Sequence, residues 1–332
     1  MSHVAVLGAG AWGTALASQL AERAEDVRLW SWQREHAEIL HAQRENRAYF
    51  AGFPLKEGIL VTSDLALAVR SARAVTLVVP TPAVRGVLQQ LRGLVPAHVP
   101  LVLASKGIEP DSLMLLTEVV ADVLGTAAAA HAVALSGPSF AQEVARGLPT
   151  NLVAASQDPA AALLVQSLFS SERLRVYTSA DPAGVQVGGA LKNVIAIAAG
   201  ASDGLGFGHN TRAALITRGL AEMARLATAK GGDATTLAGL SGLGDLVLTT
   251  TAQLSRNRTV GFELASGRTL EDVLQSLGHV AEGVTTAQSA HQLALRLQVE
   301  LPITSAVYQV LYQGKPVFDA VQELLQRPAG RE

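Results

Sequence analysis

A lysine inside an almost wholly apolar helix is the first residue here whose chemistry needs explaining. In GGALKNVIAIAAGASDGLGFGHNTRAALITRGLAEM, residues 188–223, Lys192 and Asn193 stand among Leu191, Val194, Ile195 and Ile197. A helix apolar all round is a buried one. A lysine within it is costly unless it has a partner or a task. Either it snorkels from the helix edge, or its ammonium is set to protonate a substrate oxygen. Asp245 lies in the apolar, glycine-rich stretch LSGLGDLVLT (240–249), with Thr249 four residues on and so on the same helical face. It either caps a helix or orients a cation. In Ser255-Arg256-Asn257-Arg258, Ser255 suits an N-cap and leaves Arg256 and Asn257 in the first helical turn. An arginine there either clamps a phosphate or faces solvent. Lys106, in Ser105-Lys106-Gly107, directly follows an apolar strand pattern. It meets an anion or carbonyl there, or is a solvated loop lysine.

A second constellation opens the chain. The apolar run His3 to Leu7 leads at once into Gly8-Ala9-Gly10-Ala11-Trp12-Gly13, and a helical pattern follows from Thr14 to Arg23. That is GxGxxG between strand and helix. Gly8 permits the tight turn, Gly10 lets the backbone approach a pyrophosphate, and Gly13 lets helix and strand pack closely. The helix N-terminus then offers N–H groups to the anion. A strict NAD site carries Asp or Glu at the end of the second strand. The second strand pattern here, Val27 to Trp30, continues Ser31-Trp32-Gln33-Arg34. With no acid at that strand end, Arg34 can pair with a 2′-phosphate and Trp32 can stack on an adenine. NADPH is therefore expected in preference to NADH.

The elements that must hold these residues follow from rhythm. Short apolar runs at 27–30, 59–62, 75–79, 101–104, 133–135, 152–155 and 174–177 alternate with helical patterns. This predicts βαβ units and a doubly wound, mainly parallel sheet. After Asp181-Pro182 no strand pattern follows. Helical patterns fill 183–201, 210–230, 234–241, 255–265, 270–277, 283–297 and 303–313, and Asn210 or Thr211 is placed to cap the second of them. The fold expected is α/β, with a dinucleotide-binding domain over 1–180 and an all-α substrate-binding domain over 181–332.

With 332 residues, 49% hydrophobic and 16% charged, the chain can bury a large core. A formal net charge of −2, from 26 Lys+Arg against 28 Asp+Glu, provides no basic field for nucleic acid and no polybasic membrane patch. No cysteine is present, which excludes disulfides and thiolate chemistry. The eight histidines form no HxxxH or HExxH, so no metal site is expected. The apolar runs are interrupted by Gly, Lys or Asp short of a membrane span. The N-terminal residues lack the regions of a signal peptide, and a cytoplasmic protein is expected.

These stretches also carry a resemblance. GAGAWGTALA (8–17), ASKGIE (104–109), SGPSFAQEVARGLPT (136–150), the block 188–223, LSGLGDLVLT (240–249) and SRNRTVG (255–261) resemble bacterial NAD(P)-dependent glycerol-3-phosphate dehydrogenases, in family order over nearly the whole chain. The resemblance implies an N-terminal Rossmann domain, an all-helical C-terminal domain, and a cytoplasmic homodimer feeding glycerophospholipid synthesis. It implies reversible reduction of dihydroxyacetone phosphate, with Lys192 as acid/base. Lys106, Gly137, Ser139, Asn193, Asp245, Thr249, Ser255, Arg256 and Asn257 would contact substrate. Ala11, Trp12, Tyr49, Lys106, Ala141, Arg256, Val280 and Glu282 would touch the cofactor, beside the glycines. Tyr49 stands in a loop, Ala48-Tyr49-Phe50-Ala51-Gly52, that departs from the family's RYLPG-like pattern. A related two-domain NADP-dependent β-hydroxyacid or ketoacid reductase would bind a carboxylate instead. A non-catalytic NADP-sensing regulator would need the glycine loop but not Lys192, Asp245 and Arg256 together.

Overall fold

The computed structural model describes residues 3–23, 25–278 and 281–328. The run His3–Leu7 forms β1, buried at every position. Its side chains alternate across the sheet. Val4 and Val6 join an apolar cluster with Leu16 and Leu20 of the helix Ala11–Glu22 (α1), while Ala5 and Leu7 join a second one with Val84, Leu88 and Val119. An unbroken apolar run is what a parallel strand covered on both faces requires.

Seven further strands follow: Val27–Trp30 (β2), Ile59–Thr62 (β3), Ala72–Leu77 (β4), Leu101–Leu103 (β5), Val133–Ser136 (β6), Thr150–Ala155 (β7) and Leu174–Ser179 (β8). They form one sheet in the order β3-β2-β1-β4-β5-β6-β7-β8. All neighbours are parallel except β6 and β7. The order reverses between β1 and β4, the switch point where such sheets bind ligands beyond their carboxyl ends. Leu7 pairs with Trp30 on one side and Leu77 on the other, and Leu77 with Leu103. The loops leaving β1, β2, β4 and β5 therefore open along one edge. The fourth strand ends two residues before the expected Val79. Val78 and Val79 instead turn against Gly8, where a Cβ would lie 2.8 Å from the Val78 carbonyl.

The chain forms two compact units. The first, Met1–Lys106 with Met114–Val185, holds the sheet, and the second is Gly107–Leu113 with Gln186–Glu332. No strand occurs in the second among the described residues. The composition change after Asp181-Pro182 precedes the division by about one helical turn, because the chain passes from one unit to the other inside a single long helix, Pro182–Gly204 (α2).

Six helices complete the frame needed here: His209–Ala229 (α3), Asp245–Thr251 (α4), Arg256–Ala265 (α5), Glu282–Leu297 (α6), Pro302–Gln313 (α7) and Val317–Leu325 (α8). By length and composition α2 is apolar enough to cross a membrane, yet 89% of its most apolar window is buried within the protein. It is a core helix. Val194 and Ile197 cluster with Val260 of α5, Val284 and Ala287 of α6, and Val307 and Leu311 of α7. Two corrections concern helix starts. Gly208, not Asn210 or Thr211, is the N-cap of α3, and no side chain caps it. The pattern expected as one helix over 234–241 is a 3-10 turn, Ala234–Ala238, followed by a π turn, Leu240–Gly244. From within α3, Glu222 accepts bonds from Ile303 N, Thr304 N and Thr304 Oγ1, and so caps α7 from another helix. Burial pushes its carboxyl above the usual range, outweighing those bonds.

Candidate active site

In the second unit the long-range partners of Lys192 explain its place. It points from α2 toward α4, and its Nζ donates to Asp245 Oδ1 at 2.5 Å and Thr249 Oγ1 at 2.9 Å. Lys192 is 8% exposed and Asp245 0%. The π turn Leu240–Gly244 delivers Asp245 as the first residue of α4, and π turns commonly re-aim side chains at functional sites. Asp245 does not cap α4; its carboxylate faces the ammonium. Thr249, one turn on, donates to the Asp245 carbonyl at 2.6 Å, which leaves its oxygen to accept from Lys192. A buried charge needs this kind of pairing.

Asn193 extends the cluster. Its Oδ1 accepts from Asn257 Nδ2 at 2.9 Å, and Asn257 Oδ1 in turn accepts from Gly283 N at 3.0 Å. The amide chain thus links α2, the first turn of α5 and the first turn of α6, where Glu282 lies. Ser255 is the N-cap of α5, its Oγ accepting from Arg258 N at 3.3 Å. Asn257 is buried and Arg256 is exposed. The first turn of the helix therefore carries an exposed arginine beside N-terminal N–H groups, a combination suited to a phosphate.

In the first unit, Gly8 has φ +122°, which L side chains rarely adopt. A Cβ on Gly13 would lie 1.8 Å from the Gly8 carbonyl oxygen, so the helix start can close on the strand end only without one. Gly10 is different, since a Cβ there would meet nothing within 4 Å. It faces open space at the N-terminus of α1, and no side chain caps that helix. The loop fits a dinucleotide pyrophosphate, with Ala11 and Trp12 at its edge. Two other sheet-edge loops meet each other. Lys106 Nζ donates to the Gly137 carbonyl at 3.1 Å, and Ser139 Oγ to the same oxygen at 3.0 Å. Ala141 begins a short helix, Ala141–Ala145.

Beyond β2, Trp32 is exposed and Arg34 pairs with Glu38 at 2.8 Å on the solvent side. Tyr49 packs edge-on to His36, with ring centroids 5.1 Å apart. Val280 lies outside the described residues. One residue of this loop set was not expected. Asn46 is buried, and its Nδ2 donates to the Ala9 carbonyl at 2.9 Å and to Thr14 Oγ1 at 2.8 Å, while its Oδ1 accepts from Tyr49 N at 3.3 Å. It ties the glycine loop to the turn that carries Tyr49. An asparagine before a short helical turn is an N-cap signal, but nothing in the sequence points its amide at Ala9.

Known proteins match this arrangement along both halves of the chain. A family model described as NAD-dependent glycerol-3-phosphate dehydrogenase N-terminus matches residues 3–162, and one described as the C-terminus of the same family matches 181–322. A glycerol-3-phosphate dehydrogenase [NAD(P)+] from Geobacter sulfurreducens is 53% identical over 325 residues, covering 98% of this chain and 97% of that one. Its counterpart from Nitrosomonas europaea is 51% identical, covering 99% of both. The crystal structure of glycerol-3-phosphate dehydrogenase from Coxiella burnetii superposes with a TM-score of 0.94 at 40% identity, covering 98% of this chain and 99% of that one. A glycine loop at the switch point of a doubly wound sheet, a buried Lys–Asp pair in a helical unit, and these matches agree: the chain belongs to the NAD-dependent glycerol-3-phosphate dehydrogenase family.

Proposed function

We propose that this protein reduces dihydroxyacetone phosphate to sn-glycerol 3-phosphate, reversibly, using NADPH or NADH. The observation that carries the reading is Lys192, an ammonium buried in an apolar helix and held by Asp245 and Thr249. The bound nicotinamide cofactor supplies the hydride that adds to C2 of the substrate. Negative charge then grows on the carbonyl oxygen, and Lys192 stabilises and protonates it. Asp245 orients the ammonium, and in the reverse direction Lys192 takes the proton back. Arg256 and Asn257 hold the phosphate, with Ser255 setting their turn, and so fix which carbon is presented. Thr249 accepts from the amine, and Asn193, held by Asn257, contributes a further polar contact to the substrate. The sheet-bearing part, 1–180, takes the cofactor through Gly8, Gly10 and Gly13, with Ala11, Trp12, Tyr49 and Ala141 beside them. Lys106, Gly137 and Ser139 contribute polar groups toward the substrate, and Arg256, Val280 and Glu282 also contact the cofactor. Part 181–332 carries the proton donor and the phosphate contacts. NADPH oxidation with dihydroxyacetone phosphate, compared with unphosphorylated dihydroxyacetone, tests the reading. Strong preference for the phosphorylated ketone is expected, and equal use of both would overturn it.

NADPH is the expected preference. No acid stands at the end of β2 to repel a 2′-phosphate, and Arg34 makes an exposed pair with Glu38, which a phosphate can displace. Arg34→Ala should lower kcat/KM for NADPH at low salt and leave NADH almost untouched, with the difference fading as salt screens it. A wild-type enzyme that favours NADH would sink this reading of the strand end.

The same family reading carries a homodimer in the cytoplasm, supplying glycerophospholipid synthesis. Support for self-association is an apolar concavity of about 1210 Å³ in the helical unit, lined by Ile197, Leu215, Val310, Val321 and Leu325, with Phe318 and Leu325 of α8 exposed. Exposed apolar surface of this kind marks an interaction site. Sedimentation at micromolar concentration should give a dimer, and a monomer there would remove it.

A further inference from the structure

Asp203 stands one residue before the end of α2, with a side chain 6% exposed, and each of its carboxylate oxygens holds a different arginine. Oδ1 accepts from Arg212 Nε at 3.1 Å and Nη2 at 2.5 Å. Oδ2 accepts from Arg258 Nε at 2.9 Å and Nη2 at 2.7 Å. Arg212 lies in the first turn of α3, and Arg258 in the first turn of α5. One carboxylate therefore joins three helices where one ends and two begin. Backbone contact reinforces the joint. A Cβ on Gly200 would lie 1.9 Å from the Arg258 carbonyl oxygen, so α2 and α5 touch there without side chains between them.

The first turn of α5 is the turn that presents Arg256 and Asn257. It is pinned to α2 at two points. One is the Asn257–Asn193 bond beside Lys192, and the other is the Arg258–Asp203 pair about three helical turns further along α2. A rigid turn held at both points fixes the guanidinium of Arg256 relative to the ammonium of Lys192. Such support decides whether a site is held to the tolerance that chemistry needs.

We infer that Asp203 is a positioning residue for phosphate recognition, acting through Arg258 to hold the turn that carries Arg256 and Asn257. The inference rests on the reading of those two residues as the phosphate contacts. Asp203→Asn leaves two guanidinium groups facing a neutral acceptor, and the α5 turn loses its charged anchor. A ketone with a phosphate then loses its grip, whereas a ketone without one does not.

The test is steady-state kinetics of Asp203→Asn, Arg258→Lys and Arg212→Met, with NADPH binding followed by fluorescence. Asp203→Asn should raise KM for dihydroxyacetone phosphate about tenfold, the change expected from one charge-assisted bond. Its kcat and, at saturating NADPH, its kcat/KM for unphosphorylated dihydroxyacetone should stay as in the wild type, and any rise in its NADPH Kd should not exceed that of Arg256→Ala. Arg258→Lys keeps the charge but not the paired geometry and should show a smaller rise in the same KM. Arg212→Met leaves the Arg258 pair intact and should show none. An unchanged KM in Asp203→Asn, or equal losses on both ketones, would overturn the inference. If Asp203→Asn does not fold, Arg258→Lys decides by the same criterion. Arg256→Ala, run in parallel, separates the two readings. If it leaves KM unmoved, the phosphate lies elsewhere. If it raises KM while Asp203→Asn does not, only the positioning role fails.

Discussion

Lys192→Ala is expected to lower kcat by about 100- to 10,000-fold, the range for loss of a general acid, while NADPH binding is retained. In the proposed function, cofactor binding falls mainly to the glycine loop of the first unit, and Lys192 makes its observed bonds to Asp245 and Thr249 in the second. The substitution has a second consequence. Asp245 is fully buried, and removing one partner of a buried ion pair costs about 3–5 kcal/mol of stability. Lys192→Arg separates the two effects. It keeps a cation for Asp245, so folding should be largely preserved. A guanidinium does not give up its proton near neutral pH, so turnover should still collapse. The measurements are kcat at saturating substrate, NADPH fluorescence titration and thermal unfolding. A near-normal kcat in the arginine variant would show that another group is the proton donor.

Arg256→Ala is expected to raise KM for dihydroxyacetone phosphate and to erase most of the preference over unphosphorylated dihydroxyacetone. A charge-assisted bond is worth about 1.5–3 kcal/mol. Arg256 is exposed at the first turn of α5, so the low end of that range applies, roughly tenfold in KM. Some loss of NADPH affinity is expected as well, since Arg256 is read as touching the cofactor. The ratio of kcat/KM for the two ketones isolates the phosphate, because the cofactor contribution is common to both. An unchanged ratio would place phosphate recognition in other residues.

Much of this was legible before any coordinates. The second strand and the helix Leu270–Leu277 fall on the expected residues, because short apolar runs and three- to four-residue spacing are local patterns. Ser255 caps α5 as expected, since a cap is made within four residues. Elements set by neighbours were less legible. The helix Val317–Leu325 was not among the expected ones. It follows Gly314-Lys315-Pro316, which reads as a stop.

The site divides along the same line. Sequence by itself determined the chemistry available: a lysine in an apolar helix, an acid with a threonine one turn later, an arginine and asparagine behind a capping serine, and a glycine loop between strand and helix. These depend on residue type and on spacing within a turn or two. Tertiary structure decided the partnerships. Lys192 meets Asp245 across 53 positions and Asn193 meets Asn257 across 64. Asp203 anchors two helix starts, one of them 55 positions away. Asn46 holds the Ala9 carbonyl across 37. Contacts at such separations are set by how helices and strands pack, since no local periodicity encodes which buried polar group will satisfy which.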